Sequence, residues 1–210
     1  MKEIMLTIQV ISISIGKIED ILLPKNDSSK PVKSGINKSS ISHLNNRAVV
    51  NIKLNGINGD QQADLTVHGG VRKAVYVYPH EHYSFWNQLL RREIKKSEPL
   101  NFGALGENLT VQGVTEEDVF VGDRWEVGSA VFEVTELREP CFKFNIKMEY
   151  KGAAKAMVQS KFSGWYLSVV KEGAIRAGDH ILVIAGKRET SIADQNANLL
   201  QIKNQKNLDF

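Results

Sequence analysis

Apolar and polar residues alternate over residues 2–14, with Ile4, Leu6, Ile8 and Val10 on one side and Ser12 next in the same register. A period of two marks a strand with one buried face, because successive side chains point to opposite sides of the sheet. Similar patterns predict strands at 49–54, 73–78, 108–111, 124–127, 130–136, 165–170 and 180–184. Gly128-Ser129 lies between two of these and suits a type II′ hairpin turn, while Gly56 and Gly59 punctuate another turn. The stretch 24–46, rich in Ser, Lys, Asn and Pro, reads as loop with at most short strands. Helices are fewer. Pro79 opens a segment in which Tyr83, Trp86, Leu89 and Leu90 recur at helical spacing, which predicts a helix over 79–92 whose apolar stripe covers the sheet. A short helix is expected at 152–159, and Ser191 with Asp194 resembles the start of a last one. The fold class is therefore mainly β, a closed or nearly closed barrel with a few packed helices, divided into a barrel domain at 1–190 and a helical tail at 191–210.

Composition narrows the class. The 210 residues are 42% hydrophobic and 24% charged, an ordinary globular balance that excludes collagen, coiled coil and disorder. With 27 basic and 24 acidic side chains the net charge is +3, too small and too scattered an excess for a nucleic-acid-tracking groove. The single cysteine, Cys141, precludes an internal disulfide, so the cytoplasm is the expected compartment. The polar residues Thr7, Gln9, Ser12 and Ser14 interrupt the first apolar run, which does not read as a signal peptide, and nothing reaches the length of a membrane helix.

Three stretches carry candidate chemistry. Between Asp64 and Lys73 lie His68, Gly69, Gly70, Arg72 and Lys73; consecutive backbone N–H groups in a glycine turn can form a concavity for an anion that the cations neutralise. Cys141 stands at the end of a predicted strand, with Arg138 three residues before it and Lys143 two after, a setting that favours thiolate. Pro140 should end or bulge that strand and leave the sulfur at a rim, while Glu139 opposes a second negative charge. From Phe102 to Leu109, two glycines precede Glu107 and Asn108, whose amide offers a donor and an acceptor to a heteroaromatic ring. Each has a plainer reading: a turn with solvated charges, a small buried thiol, a loop whose acid partners a nearby Arg. His80 and His82 point too far apart on a helix to share a zinc, and the dinucleotide, P-loop and hydrolase signatures are absent.

Together these stretches resemble the MOSC-domain family, most closely its YiiM-like branch. The shared order is D-x-x-x-HGG-x-x-KAVYxY, then FGENL (FGALGENL here), then VGDRWxVG through EVTxxRxPCxK, then GWYxxV and a late GD-x-I, with Ser34-Gly35-Ile36 and the turn at 56–60 also matching. The resemblance implies a barrel-like β fold, a molybdenum cofactor (Mo-molybdopterin), and reduction of N-hydroxylated compounds such as hydroxylamino nucleobase analogues. Carried over, Cys141 is the molybdenum ligand, and His68, Gly69, Gly70, Lys73, Asn108, Arg138, Lys143 and Asn145 hold the pterin phosphate and oxo ligands. Glu107 or His68 would deliver a proton. Val71 stands where the family commonly has proline, and Arg72 where it has an acid or polar residue. The tail resembles the beginning of a three-helix extension, stopping after one helix. Implied partners are a small N-hydroxylated substrate and an external flavin or iron–sulfur electron donor, with no nucleic acid polymer and no membrane; a homodimer is left open. Two other classes fit the same residues: a cofactor or sulfur carrier, and a non-catalytic phosphate- or nucleotide-binding barrel.

Overall fold

The protein is described here by a computed structural model covering residues 7–21, 31–65 and 69–205. Its strands are β1 (Gln9–Gly16), β2 (Glu19–Ile21), β3 (Val32–Ser34), β4 (Lys38–His43), β5 (Val50–Lys53), β6 (Gly56–Ile57), β7 (Val75–Pro79), β8 (Leu109–Gln112), β9 (Arg124–Val127), β10 (Ala130–Leu137), β11 (Trp165–Lys171), β12 (Gly173–Ile175) and β13 (Ile181–Ile184). The helices are α1 (Tyr83–Ile94), α2 (Phe142–Lys147), α3 (Ala153–Ser160) and α4 (Ile192–Gln205).

An eight-stranded sheet of order β13-β9-β10-β11-β7-β8-β1-β4 dominates. Its pairings are antiparallel except β7 with β8. The sheet curls until a bridge between Gln9 and His180 ties the β13 end back to β1, with Ile181 N–H donating to the Ile8 carbonyl at 2.9 Å. The barrel-like shape read from the strand pattern is thus present. Three shorter strands, β12-β5-β6, form a second sheet, and β2 pairs with β3.

Alternation explains the two cores. Along β7, Val75 and Val77 enter the barrel interior with Trp125, Phe132, Trp165 and Leu167, while Tyr76 and Tyr78 face outward. The outward side is covered by Trp86 and Leu90 of α1, Phe144 of α2 and Met157 of α3. The strand is therefore buried on both faces, as an element sandwiched between barrel core and helices must be.

Several expectations change. The first strand does not alternate cleanly: register shifts at Val10/Ser12 and Ile13/Ser14 bring Val10 and Ile13, an odd spacing apart, into the same core. Its expected beginning, before residue 7, lies outside the described residues. Within 24–46, read as loop with at most short strands, β4 runs for six residues. Its serines gave no apolar pattern because it is an edge strand held to β1 partly by a Ser12–Ser40 hydroxyl contact of 2.7 Å. The helix expected from 79 begins as a 3-10 turn over His80–His82. Around Cys141 the chain is not strand: β10 stops at Leu137, and the thiol immediately precedes the unexpected α2. Gly128 adopts φ 55° in the β9–β10 turn, as the hairpin reading requires. The tail is built into the barrel at its start, since Ile192 is fully buried in the barrel core and Gln195 Oε1 accepts the Leu137 N–H at 2.7 Å.

Candidate active site

A cleft opens where the helical side of the sheet meets the loops at the ends of β6, β8 and β10. Its walls are Ser34-Gly35-Ile36 and Lys38, the segment 60–64, Lys73 and Tyr76, Gly106 and Asn108, then Arg138, Glu139, Cys141, Lys143 and, on β11, Tyr166. Five residues singled out in the sequence for the site, Lys73, Asn108, Arg138, Cys141 and Lys143, therefore share one cavity. Cys141 is partly exposed, and the cleft around it holds four basic side chains, Lys38, Lys73, Arg138 and Lys143, with three acidic ones, Asp60, Asp64 and Glu139.

Arg138 is 6% exposed and follows directly on β10, where its backbone N–H donates to the Gly164 carbonyl at 3.3 Å. Its guanidinium carbon lies 4.5 Å from the Phe144 ring centre and 5.4 Å from that of Tyr76, and Nη1 contacts Met157 Sδ at 2.9 Å. Aromatic faces stabilise a cation that burial would otherwise penalise. Lys143 Nζ donates to the Lys33 carbonyl at 3.3 Å, and Lys73 Nζ lies 3.7 Å from Glu136 Oε2.

A buried ion pair also lines the cleft. Lys38 Nζ donates to both oxygens of Asp60, at 2.6 and 2.7 Å; Asp60 also accepts from Gly16 N–H at 2.7 Å and from Asn108 Nδ2 at 2.9 Å. Burial lowers the Lys38 pKa, against which the adjacent Asp60 carboxylate works. The Asn108 amide is consumed internally: Oδ1 accepts Tyr76 N–H at 3.1 Å and Nδ2 donates to Ser14 O and Asp60. Although it lines the cleft, Asn108 has its amide engaged in tying β7, β1 and Asp60 together.

Other expected site residues sit elsewhere. Glu107 is fully buried behind the cleft wall, where its carboxylate accepts from Gly103 N–H, Leu105 N–H, the Thr110 hydroxyl and the Tyr83 hydroxyl. Burial raises its pKa, and hydrogen bonds from Tyr83, Gly103 and Thr110 pull the other way. It organises the 103–107 loop and is not among the cleft's lining residues, so the structure does not place it as a proton donor to a guest. Asn145 is likewise displaced: its Oδ1 accepts Ala154 N–H at 2.7 Å, satisfying a free donor at the start of α3. Gly69 and Gly70 do not line the cleft, and the Gly70 N–H is taken by Gln62 Oε1 at 2.8 Å. His68 lies outside the described residues. Among the described residues no group of three His, Cys, Asp or Glu side chains is placed to hold a metal. His80 and His82 are also apart in role: His82 Nε2 is 2.7 Å from Glu116 Oε2 in a buried pair.

The sequence reading passed over Asp60, Gln62, Tyr76 and Tyr166 as individual site residues. The 56–60 turn and the GWY segment were noted as pattern, but the partners that give these side chains their roles come from distant strands.

Fold and cleft together fit one class. The model of the MOSC domain matches residues 64–182, more than half the chain, and the chain belongs to this family of molybdenum-cofactor-binding domains. Within it the chain is YiiM-like: the crystal structure of YiiM from Geobacillus stearothermophilus superposes with a TM-score of 0.68 at 28% identity, covering 93% of this chain and 85% of that one. "Uncharacterized protein YflK" of Bacillus subtilis (strain 168) is 36% identical over 199 residues, 95% of this chain and 83% of its own. A protein named "Reductase" from Gibberella moniliformis (strain M3125 / FGSC 7600) is 36% identical over 132 residues, 61% of this chain and 22% of the reductase. No helix among the described residues is long and apolar enough to cross a membrane.

Proposed function

We propose that this protein is a molybdenum-cofactor oxidoreductase that reduces N-hydroxylated compounds, hydroxylamino nucleobase analogues among them, with the Cys141 thiolate as the metal's protein ligand. One observation carries the reading: the single cysteine lines the same cleft as Lys38, Lys73, Arg138 and Lys143. Thiolate is a soft donor suited to such a metal, and the cations suit the phosphate of a pterin cofactor and the oxygen ligands of the metal. The donor set thus fits the group.

When bound, the cofactor supplies two-electron removal of oxygen. The chain's own residues bind and orient. Arg138, locked between Tyr76 and Phe144, presents a fixed cation in the cleft that holds the thiol, whereas Lys143 and Lys73 act nearer the surface. The Lys38–Asp60–Asn108 network holds the loop segments at a constant separation, which keeps the cleft preorganised. Electrons come from an external flavin or iron–sulfur donor, since the chain carries one cysteine and no flavin or cluster motif. Support for the reductase class includes the name of the Gibberella moniliformis relative.

The test is turnover. Protein made in cells able to build the cofactor should reduce hydroxylaminopurine to adenine with an artificial electron donor, and Cys141→Ala should abolish it. Persulfide on Cys141 without any reduction would favour the carrier reading instead.

A further inference from the structure

Along β11, Trp165 and Leu167 enter the barrel core, so Tyr166 faces the other side of the sheet, where it lines the cleft with Cys141. Its position is fixed by several contacts. The Tyr76 ring centre lies 5.4 Å away, the Lys73 ammonium stands 5.7 Å over the Tyr166 ring, and the Tyr166 carbonyl accepts the Thr135 hydroxyl at 3.1 Å.

The Arg138 guanidinium, held over the Tyr76 ring that adjoins Tyr166, lines the same cleft. A guanidinium has five donors and no acceptor, so Arg138 cannot take the phenol's proton. No hydrogen bond from the Tyr166 O–H to another described residue is present. Two amides of the cleft are already engaged, Asn108 with Tyr76, Ser14 and Asp60, and Gln62 with Gly70. A neutral donor with an unused proton therefore faces the cleft that holds the thiol. Burial raises the phenol's pKa, which keeps that proton in place.

We infer that Tyr166 reads the substrate's N-hydroxyl group, donating a hydrogen bond to its oxygen and so separating substrate from the amine product, which has no oxygen there. This rests on the reductase reading of the cleft and adds the residue that sets its specificity. Losing one neutral hydrogen bond changes a binding ratio by roughly tenfold or less.

The experiment uses cofactor-loaded protein without an electron donor, so nothing turns over. Hydroxylaminopurine and adenine are titrated by calorimetry into the wild type and Tyr166→Phe, which keeps the ring and its packing; Tyr166→Met serves if the first variant does not fold. The wild type should prefer the hydroxylamino compound by about tenfold, and the variant's preference should fall to within about twofold at equal molybdenum content. An undiminished preference in the variant, or none in the wild type, overturns the inference while leaving the reductase reading intact. A wild type that holds no molybdenum, or that fails to reduce the compound once a donor is added, removes the reading itself and this inference with it.

Discussion

Glu107 is the side chain whose chemical type misled most, because a carboxylate beside glycines reads equally as an acid catalyst and as a loop anchor. Its four hydrogen-bond donors come from Gly103, Leu105, Thr110 and the distant Tyr83, and no local pattern shows the last. Glu107→Ala strands these donors in a buried site and should destabilise the fold by about 3 kcal/mol or more in urea unfolding. A pH series sharpens the point. Because burial raises the folded-state pKa, stability contributed by the protonated acid is full below about pH 4.3, the ordinary glutamate value, and is lost as pH rises through the raised value. The stability of the wild type minus that of Glu107→Gln should therefore fall with rising pH across that window; a difference that climbs would contradict the assignment. Cys141, Arg138 and Lys143 were legible because they are neighbours in sequence, whereas Asp60 and Tyr166 join them only through the sheet.

Among the elements, α2 and α3 show how residues close in sequence can be parted in space. Asn145 lies near Cys141 in sequence, yet the short α2 turns its amide away to Ala154 at the start of α3. Asn145→Ala should lower stability by about 1 kcal/mol while leaving cofactor content unchanged, and Lys143→Met should do the reverse. Metal analysis and thermal melting of both variants check the contrast. The start of β11 is a second sensitive point. Gly164 adopts φ 63°, and an added Cβ would lie 2.3 Å from the Val77 carbonyl. Gly164→Ala combines left-handed strain with a backbone clash and should cost about 2 kcal/mol or more. The strands of the central sheet were legible from alternation and turn glycines. The edge strand β4, rich in serine, and the six-residue α2, too short for a helical stripe, were not.

At the scale of the whole molecule, the barrel and its last helix act as one body at their junction. Ile192 is fully buried in the barrel core, and Asn196 Nδ2 reaches Lys161 O and Ser163 Oγ beside the β11 start. Ile192→Ala should thus cost about 2–4 kcal/mol, a core value, measured by denaturant unfolding. A cost below about 0.5 kcal/mol would mean a loosely attached tail. A net charge of +3 says little about a ligand, whereas convergence of Cys141, Lys73, Arg138 and Lys143 on one cleft says a good deal. That convergence was implied by family resemblance and could not be derived from the charge count.

The most direct measurement is the molybdenum content of the purified protein, made in cells able to build the cofactor, against that of Cys141→Ala with its fold verified by circular dichroism. The expected result is about one metal per chain in the wild type and almost none in the variant. Equal metal in both, or none in the wild type, would contradict the assignment of Cys141 as the ligand at the heart of the cleft.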